Sequence, residues 1–123
     1  MTRLICKGNA KGEVLFTEEA ISFFGGVDPD TGIITEKGHP LEGKSMAGKI
    51  LVFPNGKGST VGSYVLYRLK KNGVAPLAMI NKNCEAIIAT GAIISEIPCV
   101  DQVDIEKLKG KTSVEIKDGE VIL

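Results

Sequence analysis

Apolar and polar positions along the chain fall into short runs with strand-like spacing, broken once by a run with helical spacing. Glu13–Phe16 and Ile21–Phe24 are compact apolar-rich runs and read as short strands. Gly25-Gly26 ends the second run. Asp28-Pro29-Asp30-Thr31-Gly32 then carries turn chemistry: proline fixes φ, the aspartates bond nearby backbone, and glycine closes the turn. Ile33-Ile34 allows a brief pairing before Lys37-Gly38-His39-Pro40 turns the chain again. The region from Gly25 to Gly48 is therefore loop-rich, and long loops in small proteins serve a function or an interface. Lys49–Phe53 is a continuous apolar run after one polar residue, as expected of a strand buried on both faces, and Pro54 ends it.

Beyond Pro54, Val61, Val65 and Leu69 stand at i, i+4 and i+8, which predicts an amphipathic helix running to Lys71. Arg68, Lys70 and Lys71 suit the negative end of its dipole, and Asn72-Gly73 is a C-terminal stop. Gly62 in the first turn costs about 1 kcal/mol against alanine, which implies a close neighbour. Ala75–Ile80 is a second apolar strand, completing a strand–helix–strand unit expected to be parallel and right-handed. Asn81-Lys82-Asn83 is a loop. Ala86–Ala89 fits either a helical turn or a strand, whereas Ala92-Ile93-Ile94 and Ile97 read as extended up to Pro98. Val103–Leu108 is a short helical or loop segment. The chain closes in a hairpin, with Val114 and Ile116 alternating with polar residues, a turn at Asp118-Gly119, and a return at Val121–Leu123. The pattern predicts one mixed α/β, β-rich domain over residues 1–123 with a single prominent helix.

Composition narrows the possible functions. In 123 residues, 43% are hydrophobic and 24% charged, ordinary values for a globular protein. Fifteen basic and fifteen acidic residues cancel, leaving no electrostatic footprint for nucleic acid or an acidic membrane. The opening Met1–Lys7 lacks a signal peptide's apolar core and cleavage site, and no run reaches the roughly eighteen apolar residues of a membrane span. Cys6, Cys84 and Cys99 are odd in number and far apart in sequence, a pattern of neither a disulfide framework nor a local metal-ligand cluster. Reduced cysteines in a cytoplasmic protein are the expectation.

The strand-to-helix step Asn55-Gly56-Lys57-Gly58-Ser59-Thr60-Val61-Gly62-Ser63 invites comparison with phosphate-binding loops, and its spacing excludes two of them. A Walker A loop needs glycines four residues apart followed by Lys and Ser or Thr; here Gly58 follows Gly56-Lys57, and Leu51 stands where the first glycine would be. The dinucleotide fingerprint needs its third glycine three residues after the second, and Gly62 comes one residue late. What remains is a glycine turn with Ser59 at or beside a helix N-cap, in front of unpaired backbone amides that favour an anion. Read plainly, Ser59 is a cap worth about 1 kcal/mol and Lys57 a solvated charge. His39, the only histidine, has no identifiable acid partner and reads as structural.

These segments together resemble the small subunit of the aconitase X family. The resemblance is carried by Gly25-Gly26-Val27-Asp28-Pro29, Thr31-Gly32-Ile33, His39–Ser45, Gly48–Pro54 and Gly56–Tyr64, and continues in Gly73–Pro76, Gly91-Ala92-Ile93 and Ile97–Asp101. It covers roughly Gly25 to Asp104. The family implies the swivelling β/β/α domain that corresponds to the mobile domain of aconitases. It also implies a heterodimer, in which a large aconitase X-type subunit carries a [4Fe-4S] cluster and this chain binds no metal.

The implied reaction is a hydro-lyase step, dehydration of 5-phosphomevalonate to trans-anhydromevalonate 5-phosphate. Alternatives are hydroxyproline dehydration, or a non-enzymatic anion-binding or assembly role. By position, Ser59 inherits the part of the aconitase base, with Lys57, Gly58, Thr60 and Ser63 as substrate-binding residues. One departure is Val61, which stands where aconitases place a carboxylate-anchoring arginine. The backbone at 58–60, Thr60, Ser63 or the large subunit is left to supply that anchor.

Overall fold

The protein is described here by a computed structural model covering residues 2–123. In chain order the elements are β1 (Arg3–Cys6), β2 (Ala10–Phe16), β3 (Ile21–Ser22), a kinked turn α1 (Phe23–Gly26), β4 (Ile50–Phe53), β5 (Gly56–Lys57), α2 (Gly62–Lys71), β6 (Ala78–Asn81), α3 (Ala86–Ser95), β7 (Cys99–Asp101), a 3-10 turn (Ile105–Leu108), β8 (Ser113–Lys117) and β9 (Glu120–Ile122). Seven strands form one sheet in the order β1-β7-β6-β4-β2-β8-β9, and β3 pairs with β5 in a separate two-stranded piece. The central strands β2, β4, β6 and β7 run parallel, while β1, β8 and β9 join antiparallel at the edges.

The uniform apolarity of β4 follows from its place in the middle of this sheet. Successive side chains of a strand point to opposite faces. Leu51 and Phe53 enter a core with Leu66, Leu69 and Ile88 of the two helices. Ile50 and Val52 enter a second core with Ile105 and Leu108 of the 3-10 turn and Val114 and Ile116 of the terminal hairpin. The long loop between Gly25 and Gly48 is less free than its sequence suggests. It makes bridges at Val27–Ile34 and Ile33–Ser45, and it buries Val27, Ile34, Leu41 and Met46 in the helical core. His39 is buried within it: its Nδ1 accepts from the Leu41 amide at 3.0 Å, so the proton sits on Nε2, which donates to the Ala20 carbonyl at 3.1 Å. That is a structural histidine.

The strand–helix–strand unit β4–α2–β6 and the β8–β9 hairpin agree with the sequence pattern. The expectation of an extended Ala92-Ile93-Ile94 is wrong. Residues 86–95 form α3, so the fold has two prominent helices and not one. Glu85 starts α3 by accepting from the Ile87 and Ile88 amides at 2.9 and 3.3 Å. Glu96, in the left-handed region at φ 54°, ends it. Gly91 resembles a helix breaker but is demanded by packing. A Cβ there would stand 2.4 Å from Leu66 Cδ1 and 3.2 Å from the Ser63 Cα, so only glycine lets α3 approach α2 this closely. Ile21–Phe24 is likewise shorter as a strand than expected, because Gly25 at φ 87° bends the chain after Ser22. β1 and β7 have no counterpart in the sequence reading.

Cys6 and Cys99, distant in sequence, are set opposite each other by the β1–β7 pairing. All three are free thiols. At the other end of the same pair, the buried Asp101 carboxylate accepts from Arg3 at 2.9 and 2.7 Å and from the Cys84 amide at 2.7 Å. No helix among the described residues is long and apolar enough to cross a membrane.

Candidate active site

The loop after β4 is shaped by Gly56 and Gly58, where a Cβ would clash, and by Gly62, where it would be tightly packed. At Gly56 a Cβ would meet Ile88 Cγ1 at 2.6 Å and Glu85 Oε1 at 2.7 Å, so the chain passes tightly against the start of α3. Gly58 has φ 92°, and a Cβ there would lie 2.8 Å from Ser22 Oγ. Gly62 sits against Ile87 and Phe23, the close neighbours implied by a glycine in the first helical turn. Between them, β5 pairs with β3 and fixes Lys57 opposite Ser22. Ser59 is thus held on a short turn whose two ends are pinned to the core.

Ser59 does not cap α2. The N-cap position is Val61, and Ser59 Oγ instead accepts from the Val61 amide at 3.2 Å, a local serine turn. Nor are the helix's first amides free for an anion, as the sequence alone suggested. The chain enters α2 through tight i→i+3 bonds, from Gly62 to the Ser59 carbonyl (3.0 Å), Ser63 to Thr60 (3.3 Å) and Tyr64 to Val61 (3.0 Å). Within this turn the amides of Gly58, Ser59 and Thr60 have no intrachain acceptor among the described residues. Ser59 is exposed, and the Val61 amide already donates to its hydroxyl oxygen. This arrangement favours negative charge on that oxygen.

The other expected site residues differ in availability. Thr60 is exposed. The half-buried Ser63 donates its hydroxyl to the Thr60 carbonyl at 3.1 Å. Lys57 is not a free solvated charge, since its ammonium donates to Glu36 Oε2 at 2.9 Å. Of these, Lys57 borders an open depression of about 430 Å³ that is also lined by Ser22, Phe24, Gly25-Gly26, Glu36 and Gly58. Val61, in the place of the aconitase arginine, is 44% exposed, and Phe24 and Tyr64 nearby are 53% and 57% exposed. Sequence reading missed Glu36. It lies 21 residues from Lys57, in a loop where nothing in the spacing marks it as a partner.

The chain was compared with known proteins. The description "Aconitase X swivel domain" matches residues 1–123. The chain belongs to the aconitase X swivel-domain family. It is 56% identical to the phosphomevalonate dehydratase small subunit of Methanosarcina acetivorans, over 98% of this chain and 80% of that one. It is 58% identical to the protein of the same name from Thermococcus kodakarensis, over 97% and 91% respectively. Among solved structures it superposes on the crystal structure of Thermococcus kodakaraensis aconitase X (holo-form) with a TM-score of 0.95 at 56% identity, over 98% of this chain and 93% of that one. The fold of this aconitase X domain is therefore the swivelling β/β/α architecture, with Ser59 on the turn that leads into its α2 helix.

The donors of this aconitase X domain do not fit an iron–sulfur cluster. Among the described residues no three His, Cys, Asp or Glu side chains converge as a metal site. Cluster ligation needs several thiolates. Here the Cys99 thiol is pushed far above its ordinary range, first by a hydrogen bond with Cys84 and then by burial. Burial raises Cys6 as well.

Proposed function

We propose that this chain is the small, mobile subunit of a phosphomevalonate dehydratase, acting as one swivelling domain over residues 1–123, and that Ser59 is the catalytic base. The observation that carries the reading is Ser59 itself. It is an exposed hydroxyl on the turn that leads into α2, outside the N-cap position, in a chain more than half identical to relatives of that name. In this reading a large aconitase X-type subunit carries the [4Fe-4S] cluster and the two chains meet in the cytoplasm around one substrate.

This chain's part in the elimination is proton removal. A serine hydroxyl is too weakly acidic to serve unaided, so the Val61 amide on its oxygen stabilises the developing alkoxide. The alkoxide takes a proton from the carbon next to the substrate carboxylate. The C–H electron pair forms the new double bond as the neighbouring hydroxyl leaves as hydroxide, and the proton taken by Ser59 then passes to that hydroxide, forming the water lost and restoring the base. Lys57 attracts an anionic group of the substrate, Gly58 leaves room for its approach, and Thr60 and Ser63 offer hydroxyls beside it. The anchor that aconitases draw from arginine is supplied by Lys57, by the backbone at 58–60 or by the large subunit.

The test is reconstitution with the cognate large subunit and assay of two substrates, 5-phosphomevalonate and hydroxyproline. Turnover of the former is the expected result. Turnover of hydroxyproline alone overturns the substrate assignment, and no dehydration with an assembled, cluster-loaded partner overturns the catalytic reading.

A further inference from the structure

The ion pair between Lys57 and Glu36 does not make sense as a stabilising bridge. Glu36 Oε2 accepts from the ammonium, but its other oxygen, Oε1, is buried and has no hydrogen-bond partner. A surface ion pair contributes about 0–1 kcal/mol, while a buried acceptor left unpaired costs about 1–3 kcal/mol. The arrangement therefore runs at a net loss for the fold. Groups kept on such terms serve something other than stability.

The local backbone is built to hold the carboxylate where it is. Glu36 follows Thr35, whose amide donates to the Gly26 carbonyl at 2.9 Å, and its own carbonyl accepts from the His39 amide at 3.2 Å. Gly26 makes room for it, since a Cβ there would lie 3.3 Å from Oε1. On the facing side Lys57 leaves a two-residue strand directly before Gly58, one residue from Ser59. An unrestrained lysine side chain carries about 2 kcal/mol of rotamer entropy. The carboxylate removes much of that freedom before any ligand arrives, which is how preorganisation improves binding.

We infer that Glu36 is a positioning residue for the reaction: it holds the Lys57 ammonium at the mouth of the depression beside Ser59, in place for the anionic end of the substrate. The inference rests on the function proposed above. Glu36 acts through Lys57, so its effect belongs to substrate binding and not to proton removal.

A double-mutant cycle in the reconstituted complex tests this with Glu36→Gln, Lys57→Met and the pair, measuring kcat and KM for 5-phosphomevalonate. Each single change raises KM by about tenfold with kcat within about threefold, and the double variant is no worse than Lys57→Met alone. Glu36→Asp, which keeps the charge, recovers part of the loss. The melting temperature of the Glu36→Gln complex stays within a few degrees of wild type, in keeping with the unfavourable balance of the pair. Wild-type KM in Glu36→Gln, or losses that multiply in the double variant, overturns the inference. So does a fall in melting temperature without a KM shift, since that is the mark of a merely structural bridge. A Lys57→Met variant with wild-type KM overturns it together with the role of Lys57. Ser59→Ala, measured alongside, reports independently on the catalytic reading.

Discussion

Ser59→Ala separates a catalytic serine from a structural one, because the geometry sets the two costs far apart. The substitution removes one exposed hydroxyl whose only intrachain bond comes from the Val61 amide at 3.2 Å. An intramolecular hydrogen bond contributes about 0.5–1.5 kcal/mol when protected, and this one faces solvent, so the loss falls at or below the low end of that range. Had Ser59 capped α2, the loss would be nearer 1 kcal/mol or above. For a domain of this size, half a kcal/mol moves the melting temperature by about 1–3 °C. Removing a positioned proton acceptor costs about 10²–10⁴ in rate.

The assay is therefore paired: thermal unfolding of the small chain, and steady-state dehydration by the reconstituted complex with assembly checked by size-exclusion chromatography. The expected variant unfolds almost as wild type, assembles, binds substrate with KM within a few-fold, and has lost at least about a hundredfold in kcat. Turnover within about threefold of wild type in an intact complex refutes the base assignment. A fall of more than about 6 °C in melting temperature refutes the account of Ser59 as a non-capping residue.

Two further predictions concern the scaffold that holds the loop. Gly32 has φ 76°, and a Cβ there would stand 2.7 Å from the Val74 backbone carbonyl, an atom that cannot move cheaply; Gly32→Ala is expected to destabilise by at least about 2 kcal/mol in urea unfolding, and a neutral result refutes the packing described for the Asp28–Gly32 turn. Asp101→Asn tests the β1–β7 edge. Burial pushes the Asp101 carboxyl upward, but hydrogen bonds from Arg3 and the Cys84 amide, with the Arg3 charge, outweigh it and hold the group below its ordinary value. A carboxyl lowered on folding contributes stability above its unfolded pKa of about 3.9 and loses that contribution as pH falls through the folded value. The deficit of Asp101→Asn, about 2 kcal/mol at pH 7, is thus expected to shrink as pH falls below about 4; a deficit that stays constant under acid titration of the folded protein refutes the assignment.

The parts of the fold legible in the sequence are those whose burial differs between faces or whose ends carry turn chemistry. α2 shows both, with polar residues opposite Val65 and Leu69 and a basic last turn before Asn72-Gly73. The β8–β9 hairpin alternates cleanly about Asp118-Gly119. α3 shows neither. Its sequence, Ala-Ile-Ile-Ala-Thr-Gly-Ala-Ile-Ile-Ser, has no charged position to mark an outer face, and its isoleucines favour strands in isolation. What decides for helix is tertiary: Glu85 closing the first turn and Gly91 admitting Leu66. β7 was hidden for a different reason, since a three-residue strand ending in a buried aspartate becomes interpretable only once Arg3 is known to lie beside it.

At the site, residue types and spacing alone excluded the nucleotide loops and left Ser59 as a helix cap. Resemblance to a family supplied the other reading, and the structure removes the cap. The exposure of Ser59 has a consequence for the reaction. An alkoxide on this turn in open water gains little from its surroundings, because opposite unit charges 4 Å apart attract by about 1 kcal/mol at the dielectric of water but about 4 kcal/mol at an effective dielectric of 20. The Val61 amide and the Lys57 ammonium thus gain several-fold in effect once solvent is excluded. Nothing among the described residues excludes it, for the depression beside Gly58 is open, with Phe24 in its wall, and Phe24, Val61 and Tyr64 are each more than two-fifths exposed. Those three apolar side chains are poorly suited to bind an anion and well suited to be covered. Closure against the proposed large subunit would then do more than deliver the substrate; it would lower the local dielectric at the moment Ser59 must carry charge. The mobility of a swivelling domain then becomes a requirement of the proposed base, which must open to water for substrate entry and lose that water to act.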